Sequence, residues 1–381
     1  MVSGHPRRYE VRVSRSALRW AALNLRCTAH SGSRRSIVMR RGEGCGPRAF
    51  RRAAEIPLEP EWLERARDEM EQARRFGARL VNLEDEEYPA LLRASSDPPP
   101  VLYVWGRLLR EDALAVAIVG SRRATPRGTL LAERIAGDLA GRGFCIVSGL
   151  ARGIDAAGHR GALHASGRTV AVLGSGLNRI YPREHQRLAE AIAARGAVVT
   201  EFPFGMSPLK RHFPERNRVI AWLSWTTIVI EAARDSGSLI TAGLAADEGR
   251  TVHAVPGPVD AIGSEGTNGL LREGALVCRG ADDVLEDLAP SIVEAAGLHR
   301  AGVEGITAGS VERGPGGAGL EPPQRCILEC LRGSGTLSID GIAEACGMPP
   351  GPLLAALLEL EIKGLVRQFP GGLFAARTCN I

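Results

Sequence analysis

The sequence predicts an α/β protein, with an extended Rossmann-like, doubly wound and mostly parallel sheet and a small C-terminal winged-helix-like domain. The first observation is a series of short apolar runs from residue 116 onward, each separated from the next by a helical segment. The runs are VAIV at 116–119, FCIV at 144–147, VAVL at 170–173, AVV at 197–199, TIVI at 227–230 and VHAV at 252–255. Runs of this kind are typical of parallel strands that are covered on both faces.

The second observation is a change of composition near the C-terminus. Residues 290–321 are rich in Gly, Ala and Pro, which predicts a flexible linker. Residues 322–381 then show three helical segments and a hairpin around Pro370 and Gly371, which is the pattern of a winged helix. The helical segments are 325–331, 339–346 and 353–363, and the hairpin strands are 365–368 and 372–375.

The part of the chain before the first buried run divides in two. Residues 60–76 have helical periodicity, and apolar runs at 80–83 and 101–104 predict two further strands. We therefore place the Rossmann-like domain at residues 56–289. Residues 1–55 hold 13 Arg against three Glu and show no sustained periodicity. We expect this N-terminal segment to be disordered or to be a degenerate helical module.

Charge and cysteine usage narrow the classes of function. The net charge is +5, but beyond residue 55 the chain holds 35 basic against 40 acidic residues. Nucleic-acid binding would therefore depend on a local basic patch. The eight cysteines form no CxxC pair and no zinc-like spacing, and no apolar run reaches the length of a membrane span. We expect a cytoplasmic protein with free thiols.

Three predicted strand-to-helix turns combine glycine with serine or arginine. The residues are Gly120, Ser121 and Arg122 in the first turn, Ser148, Gly149 and Arg152 in the second, and Gly174, Ser175 and Gly176 in the third. Turns that follow parallel strands meet at the carboxyl edge of the sheet. Glycines let the backbone approach an anion, and helix N-termini offer unpaired N–H groups. The sequence thus predicts an anion-binding crevice, although any single turn could be a tight connection without a ligand.

Residues 205–218 form the most unusual segment of the chain. They contain four cationic side chains around a single aromatic ring, Phe213. Cations that follow phosphates and a ring that stacks on an exposed base are the chemistry of single-strand binding. The candidate DNA contacts here are Lys210, Phe213, Arg216, Asn217 and Arg218. A further anion-binding turn is predicted at Ser236, Gly237 and Ser238.

The sequence offers no convincing catalytic constellation. Glu201, Glu231 and Asp235 lie near loops, where ion pairing or helix capping is the default role of a carboxylate. The chain has no GxxxxGK loop, and residues 120–122 lack the remaining glycines of GxGxxG. The patterns therefore support no cofactor, no metal and no enzymatic activity.

Several ordered strings resemble the DNA-processing protein A family, DprA, also called Smf. They are VAIVGSRRATPRG at 116–128, VSGLARGIDAAGHRGAL at 147–163, VAVLGSGLNRIYP at 170–182, FPERNRVIA at 213–221, EAARDSGSLITAGLAA at 231–246 and GTNGLLREGA at 266–275. The resemblance implies a homodimeric protein that binds and protects single-stranded DNA and loads RecA recombinase during natural transformation. By motif, it assigns the DNA-contacting arginine to Arg122 and the basic and aromatic contacts to Lys210 and Phe213.

Two departures leave alternatives open. Many members of the family begin with a helical domain that resembles a sterile alpha motif, and that domain is degenerate or missing in residues 1–55. With Glu321 just before it, the C-terminal module carries five basic against six acidic residues, so it could contact either duplex DNA or protein. The rival hypothesis is a Rossmann-type nucleotide-processing enzyme similar to phosphoribohydrolases, although their PGGxGTxxE motif is absent. A third is a transcription regulator that acts through the winged helix.

Overall fold

The structure is a computed structural model. It describes residues 15–29, 58–288, 292, 322–334, 336–349, 352–353, 356–357, 359–360, 365–369 and 373–376. The chain divides into two compact units, Met1–Gly302 and Val303–Ile381, and their boundary falls within the predicted linker. Across these described ranges, no helix has both the length and the apolar character that a membrane crossing requires.

The first unit is built on a nine-stranded sheet. Its strands are β1 Ala78–Asn82, β2 Val101–Gly106, β3 Ala115–Val119, β4 Cys145–Ser148, β5 Thr169–Val172, β6 Ala197–Thr200, β7 Thr226–Val229, β8 Thr251–Ala254 and β9 Leu276–Val277. Its helices are α1 Arg15–Ala29, α2 Pro60–Phe76, α3 Ala90–Arg93, α4 Pro126–Gly141, α5 Ile154–His164, α6 Gln186–Arg195, α7 His212–Trp222, α8 Gly237–Asp247, α9 Glu265–Arg272 and α10 Ala281–Asp287. All six apolar runs that predicted buried strands form strands, with ends shifted by at most one residue.

The order of the strands creates a switch point in the middle of the sheet. The order is β1-β2-β6-β5-β4-β3-β7-β8-β9. Strands β1, β2 and β6 pair antiparallel, and the pairs from β6 to β9 are parallel. The chain winds from β3 toward β6 on one side and then returns to place β7 on the other. The loops that follow β3 and β7 therefore diverge, which opens a crevice at the carboxyl edge.

Alternation along β3 shows why both faces of the sheet are covered. Val116 and Ile118 pack in a cluster with residues of α4 and α5, whereas Ala117 and Val119 pack in a cluster with residues of α7 and α8. All four side chains are buried. The fully apolar run that predicted a parallel strand thus serves two helical layers.

Helix α1 belongs to the segment for which we expect either disorder or a degenerate helical module. Trp20 and Leu23 lie in the main core, and the indole N–H of Trp20 donates to Glu84 at 3.1 Å. Asn24 is buried and donates to the carbonyl of Glu201 at 3.1 Å. Arg19 of this helix is half-buried. Residues 1–14 and 30–55, which complete that prediction, lie outside the described residues.

The second unit has the elements of a winged helix. Helices α11 Pro322–Ser334 and α12 Ile339–Cys346 accompany a three-stranded antiparallel sheet of β10 Thr336–Ser338, β11 Val366–Phe369 and β12 Leu373–Ala376. The predicted hairpin is confirmed, because β11 pairs with β12. Strand β10, which pairs with β12, was not predicted. The described residues of the third predicted helix, among them Leu353 and Leu357, are helical and belong to the core of this unit.

Candidate nucleic-acid interface

A cavity of about 770 Å³ occupies the crevice at the switch point. Its lining comes from the loops after β3, β4 and β7 and from the start of α7. We call it the switch-point cavity. Its volume is in the range of roughly 300–1,000 Å³ that is usual for small-molecule sites. Of the three predicted turns, the one after β3 contributes Gly120, Ser121 and Arg122 to the lining, whereas the residues named in the other two turns do not line this cavity.

Exposed cations and two rings line this cavity. Arg122, Arg123 and Lys210 are exposed, and the Phe213 ring is half-buried beside the exposed Tyr181. The guanidinium carbon of Arg122 lies 5.1 Å from the centre of the Phe213 ring, a cation–π distance. Gly174 makes room for the ring, since a Cβ there would stand 3.1 Å from it. The cavity wall thus combines positive charge with an aromatic surface.

The N-terminus of α8 forms the opposite wall. Ser236 is the N-cap, and its hydroxyl accepts from the N–H of Ser238 at 3.4 Å. Gly237 is exposed at the first helical position, and its carbonyl accepts from the Asn217 side chain at 3.2 Å. A helix start of this kind presents N–H groups and a partial positive charge to an anion.

The floor of the cavity is the turn after β3. Ser121 donates its N–H to the carbonyl of Glu231 at 2.7 Å, and its hydroxyl accepts from the N–H of Arg123 at 3.1 Å. A Cβ at Gly120 would come within 2.7 Å of Ile154, so the floor requires glycine. The close packing of the turn against α5 and the β7 loop fixes the position of Arg122.

Ser148 and Gly149 do not line the switch-point cavity. Ser148 is fully buried, and its hydroxyl donates to the carbonyl of Ile118 at 2.6 Å. Gly149 donates its N–H to the Asp155 carboxylate at 3.2 Å. Their polar groups are engaged inside the protein. The turn after β4 therefore supports the site from behind and offers it neither of these groups.

Arg216 is a buried cation at the back of the cavity. Its guanidinium donates to the carbonyl of Gly149 at 2.6 Å and to that of Val172. Burial lowers the pKa of Arg216 to about 10, although the Asp155 carboxylate opposes this shift. Burial also raises the pKa of Asp155, and Arg216 counteracts that rise. Arg216 lines the cavity, but its Nη1 donates to these backbone carbonyls and its Nε donates to the side-chain oxygen of Asn217 at 3.2 Å.

Arg218, predicted as a DNA contact, lies away from the switch-point cavity. It is buried beside Glu201, with 2.5 Å between the guanidinium and the carboxylate, and it donates to the carbonyl of Asp97. Its guanidinium carbon also lies 5.3 Å from the Trp222 ring. The assignment of Arg218 to DNA is wrong in this structure, because helix α7 turns the side chain toward the core.

Arg152 lies at the edge of the site. It is exposed and forms a two-pronged ion pair with Glu184, with N–O distances of 2.6 and 2.7 Å. Exposed pairs of this kind contribute little to stability, so a phosphate can compete for Arg152.

The carboxylates near the site have structural partners. Glu231 accepts from the Thr125 N–H at 2.8 Å and from the Thr125 hydroxyl at the start of α4, which is the capping role that was the default expectation. Within the described ranges, no cluster of three His, Cys, Asp or Glu residues is arranged to hold a metal ion. His212 is buried and stacked on Phe202, with 4.5 Å between the ring centres.

Arg123, Asp155 and Tyr181 line the site but were missed from the sequence. Asp155 follows Gly153 by two residues, but its role depends on the buried Arg216 beside it. Tyr181 belongs to the string IYP, where an aromatic before proline could have been noted. In the fold its ring centre lies 5.7 Å from that of Phe213.

Comparison with known proteins agrees with the strings in the sequence. A family model described as DNA recombination-mediator protein A matches residues 79–289, and a model of the DprA winged helix domain matches residues 311–372. Protein Smf of Escherichia coli (strain K12) is 38% identical over 310 residues, which are 79% of this chain and 79% of that protein. DNA processing protein DprA of Streptococcus pneumoniae is 42% identical over 203 residues, or 53% of this chain and 72% of that protein.

Solved structures give the same result. The X-ray structure of DNA processing protein A from Streptococcus pneumoniae has a TM-score of 0.58 at 32% identity and covers 71% of this chain and 98% of that chain. A structure of DNA processing protein A from Helicobacter pylori, which concerns its single-stranded DNA binding mode, has a TM-score of 0.50 at 31% identity and covers 55% of this chain and 97% of that chain. The chain therefore belongs to the DNA recombination-mediator protein A family, also named DprA or Smf.

Proposed function

We propose that this protein binds single-stranded DNA in the switch-point cavity. The observation that carries the proposal is the convergence of exposed Arg122 and Lys210 with the Phe213 ring at the carboxyl edge. Cations attract the phosphates of a strand, while a ring stacks on bases that have no pairing partner. Membership of the DprA family and the single-strand binding of the Helicobacter pylori relative support the proposal.

The residues of the site divide into two roles. Arg122, Lys210 and Phe213 touch the strand, with Arg152 as a cation at the edge. The Gly237 N–H at the start of α8 receives a phosphate beside the Ser236 and Ser238 hydroxyls, and Gly120, Ser121 and Asn217 line the space next to it. Ser148, Gly149 and Arg216 hold the loops in place from inside the protein.

In the cell, the bound strand would be a recombination substrate. We propose that the protein protects incoming single strands during natural transformation and loads RecA recombinase on them, as a cytoplasmic homodimer without metal or cofactor. In this role the protein acts as a mediator and not as an enzyme. The proposal is supported by the hydrogen bonds of Glu231 to Thr125 at the start of α4, because Glu231 is the carboxylate that the rival phosphoribohydrolase hypothesis would use.

An equilibrium titration tests the binding site. Arg122 and Arg110 flank β3 at its carboxyl and amino ends, and both are exposed. Arg122→Ala should weaken binding of labelled oligo-dT about 10- to 150-fold, the value of one or two charged hydrogen bonds. It should also reduce the slope of log K against log salt concentration by about 0.7 for each phosphate contact that is lost. Arg110→Ala is the matched control and should bind as the unmodified protein does.

Two further measurements test the wider role. The unmodified protein should shorten the delay before RecA hydrolyses ATP on single strands coated with single-strand-binding protein, and Arg122→Ala should not. Equal binding of duplex and single strands, or unchanged binding by Arg122→Ala, would overturn the assignment. Release of free base from nucleoside monophosphates, lost in Glu231→Gln, would instead favour the enzyme.

A further inference from the structure

A second, smaller cavity lies beside the switch-point cavity, on the side where β4 ends. Its volume is about 190 Å³, and Arg152 and Pro182 line it without lining the larger cavity. The two cavities share the rings of Tyr181 and Phe213. We call the smaller one the Tyr181 cavity. It is below the roughly 300–1,000 Å³ of pockets for drug-sized ligands, so it suits a single planar group.

Tyr181 offers an open ring face to this cavity. The residue is 45% exposed, although Pro182 beside it is buried. Its ring is tilted by 51° to that of Phe213, with 5.7 Å between the centres. Because the two rings are tilted and do not stack on each other, Phe213 does not cover the face of the Tyr181 ring, which stays available to another planar group.

The loops around Tyr181 are held before any ligand arrives. The N–H of Gly176 donates to the carbonyl of Met206 at 2.9 Å, and the Ser175 hydroxyl donates to the carbonyl of Arg179 at 2.7 Å. On the other side, His185 Nδ1 lies 2.8 Å from the carbonyl oxygen of Leu150. The ring is therefore a preset platform, which lowers the ordering entropy that binding requires.

The rim of the Tyr181 cavity is positively charged. Arg122 and Arg123 are exposed and line both cavities. Arg152 adds a third cation, with 59% of its side chain exposed in the pair with Glu184. Arginine forks match phosphate oxygens in two-pronged contacts. The rim thus offers phosphate contacts beside a ring that can stack on a base.

We propose that the Tyr181 cavity is a second nucleotide subsite. This inference rests on the proposed function, because it extends the path of the same strand. One base stacks on Phe213 in the switch-point cavity, and the neighbouring base stacks on Tyr181. Arg122 and Arg123 receive the phosphate between them. Arg152 leaves its ion pair with Glu184 and binds the next phosphate along the strand.

The first test is a length series of oligo-dT with the full chain and two variants, Tyr181→Ala and Tyr181→Phe. Tyr181→Ala should weaken binding about 5- to 150-fold, the range for one stacked base, but only for strands longer than the shortest that binds. Tyr181→Phe keeps the ring and should bind each length as the unmodified protein does. Far-UV circular dichroism and thermal unfolding check that the half-exposed substitution leaves the fold intact.

The second test places the fluorescent base 2-aminopurine at successive positions of the oligonucleotide. Two neighbouring positions should be quenched in the unmodified protein, and Tyr181→Ala should restore the emission of one of them. Arg152→Ala should flatten the salt dependence of long strands and leave that of the shortest unchanged.

The outcomes separate the two proposals. If Tyr181→Ala binds every length like the unmodified protein, or weakens every length equally, the second subsite is wrong and the proposed function stands. If the unmodified protein binds no single strand of any length, the proposed function fails and the subsite fails with it.

Discussion

The two halves of residues 205–218 use the same kind of side chain for opposite purposes. Before α7, Lys210 is exposed at the switch-point cavity. Within α7, Arg216 and Arg218 are 3% and 7% exposed and bind backbone carbonyls and a carboxylate inside the protein. A loop leaves cations free to meet a ligand, whereas one face of a helix carries them into the core. A row of cations in a sequence therefore predicts a binding surface only where the chain keeps the row in solvent.

The largest expected effect is loss of the buried ion pair. Arg218→Met leaves Glu201, whose side chain is 1% exposed, without its cation. Removing one member of a buried pair destabilises a protein by about 3–5 kcal/mol. Urea unfolding followed by circular dichroism should show this loss.

The control for Arg218→Met is Arg211→Met in the exposed part of the same segment. Arg211→Met should change stability by no more than about 0.5 kcal/mol, as other exposed substitutions do. The double variant Arg218→Met, Glu201→Gln should recover part of the loss, because no uncompensated buried carboxylate remains. Equal stability of Arg218→Met and Arg211→Met would erase the proposed difference between the two halves.

The next effect concerns binding by two adjacent exposed cations. Lys210 lines the switch-point cavity, and Arg211 beside it is exposed outside its lining. Lys210→Ala should weaken oligo-dT binding by about 1.5–3 kcal/mol, the range for a hydrogen bond to a charged group. Arg211→Ala should cost much less, because it removes only long-range charge. Fluorescence anisotropy at two salt concentrations measures the affinity of both variants. A larger loss of affinity for Arg211→Ala than for Lys210→Ala would show that the strand does not pass through the cavity.

The smallest effect is the dependence of the free energy of unfolding on pH, which arises from buried histidines, among them His159 close to Arg216. His159 is fully buried beneath this region, and burial, followed by the charges of His185 and Arg216, lowers its pKa from 6.5 to about 3. Because the folded pKa lies below the unfolded one, the stabilisation is complete above about pH 6.5 and declines as the pH falls toward 3.

Between about pH 7 and pH 5, His159 should therefore remove about 2 kcal/mol from the free energy of unfolding. Burial also lowers the pKa values of His212 and His253, so they act in the same direction. His159→Gln should reduce the pH dependence measured by urea unfolding. An unchanged dependence would show that His159 is protonated without opening the core.

Much of the fold could be predicted from patterns of short range. The run 116–119 predicted strand β3. The start of α4 also depends on neighbouring residues, because Thr125 precedes Pro126 and its hydroxyl accepts from the N–H of Gly128 at 3.0 Å. Helix α1 could not be predicted with the same ease. Its stability comes from burial against distant residues such as Glu84 and Glu201, and no local signal announces those contacts.

The candidate site was predictable in its exposed part. Gly120, Arg122, Lys210 and Phe213 meet at one cavity because parallel strands end at one edge. The buried part was not predictable, since Arg216 has the same side chain as Arg122 and differs only in what surrounds it. Tyr181 joined the site through a contact with Phe213 that spans more than thirty positions of sequence.

Residue order alone was enough to predict the parallel sheet, the family, the position of the glycine turns and the segment that carries charge around a ring. These features depend on the alternation of apolar runs and on backbone freedom, which are properties of neighbouring residues. The folded chain was needed to show which cations face solvent, that Glu231 caps α4, and that Tyr181 lies beside Phe213. Burial explains this difference, because the surrounding helices determine whether a charge meets a carbonyl, a carboxylate or water.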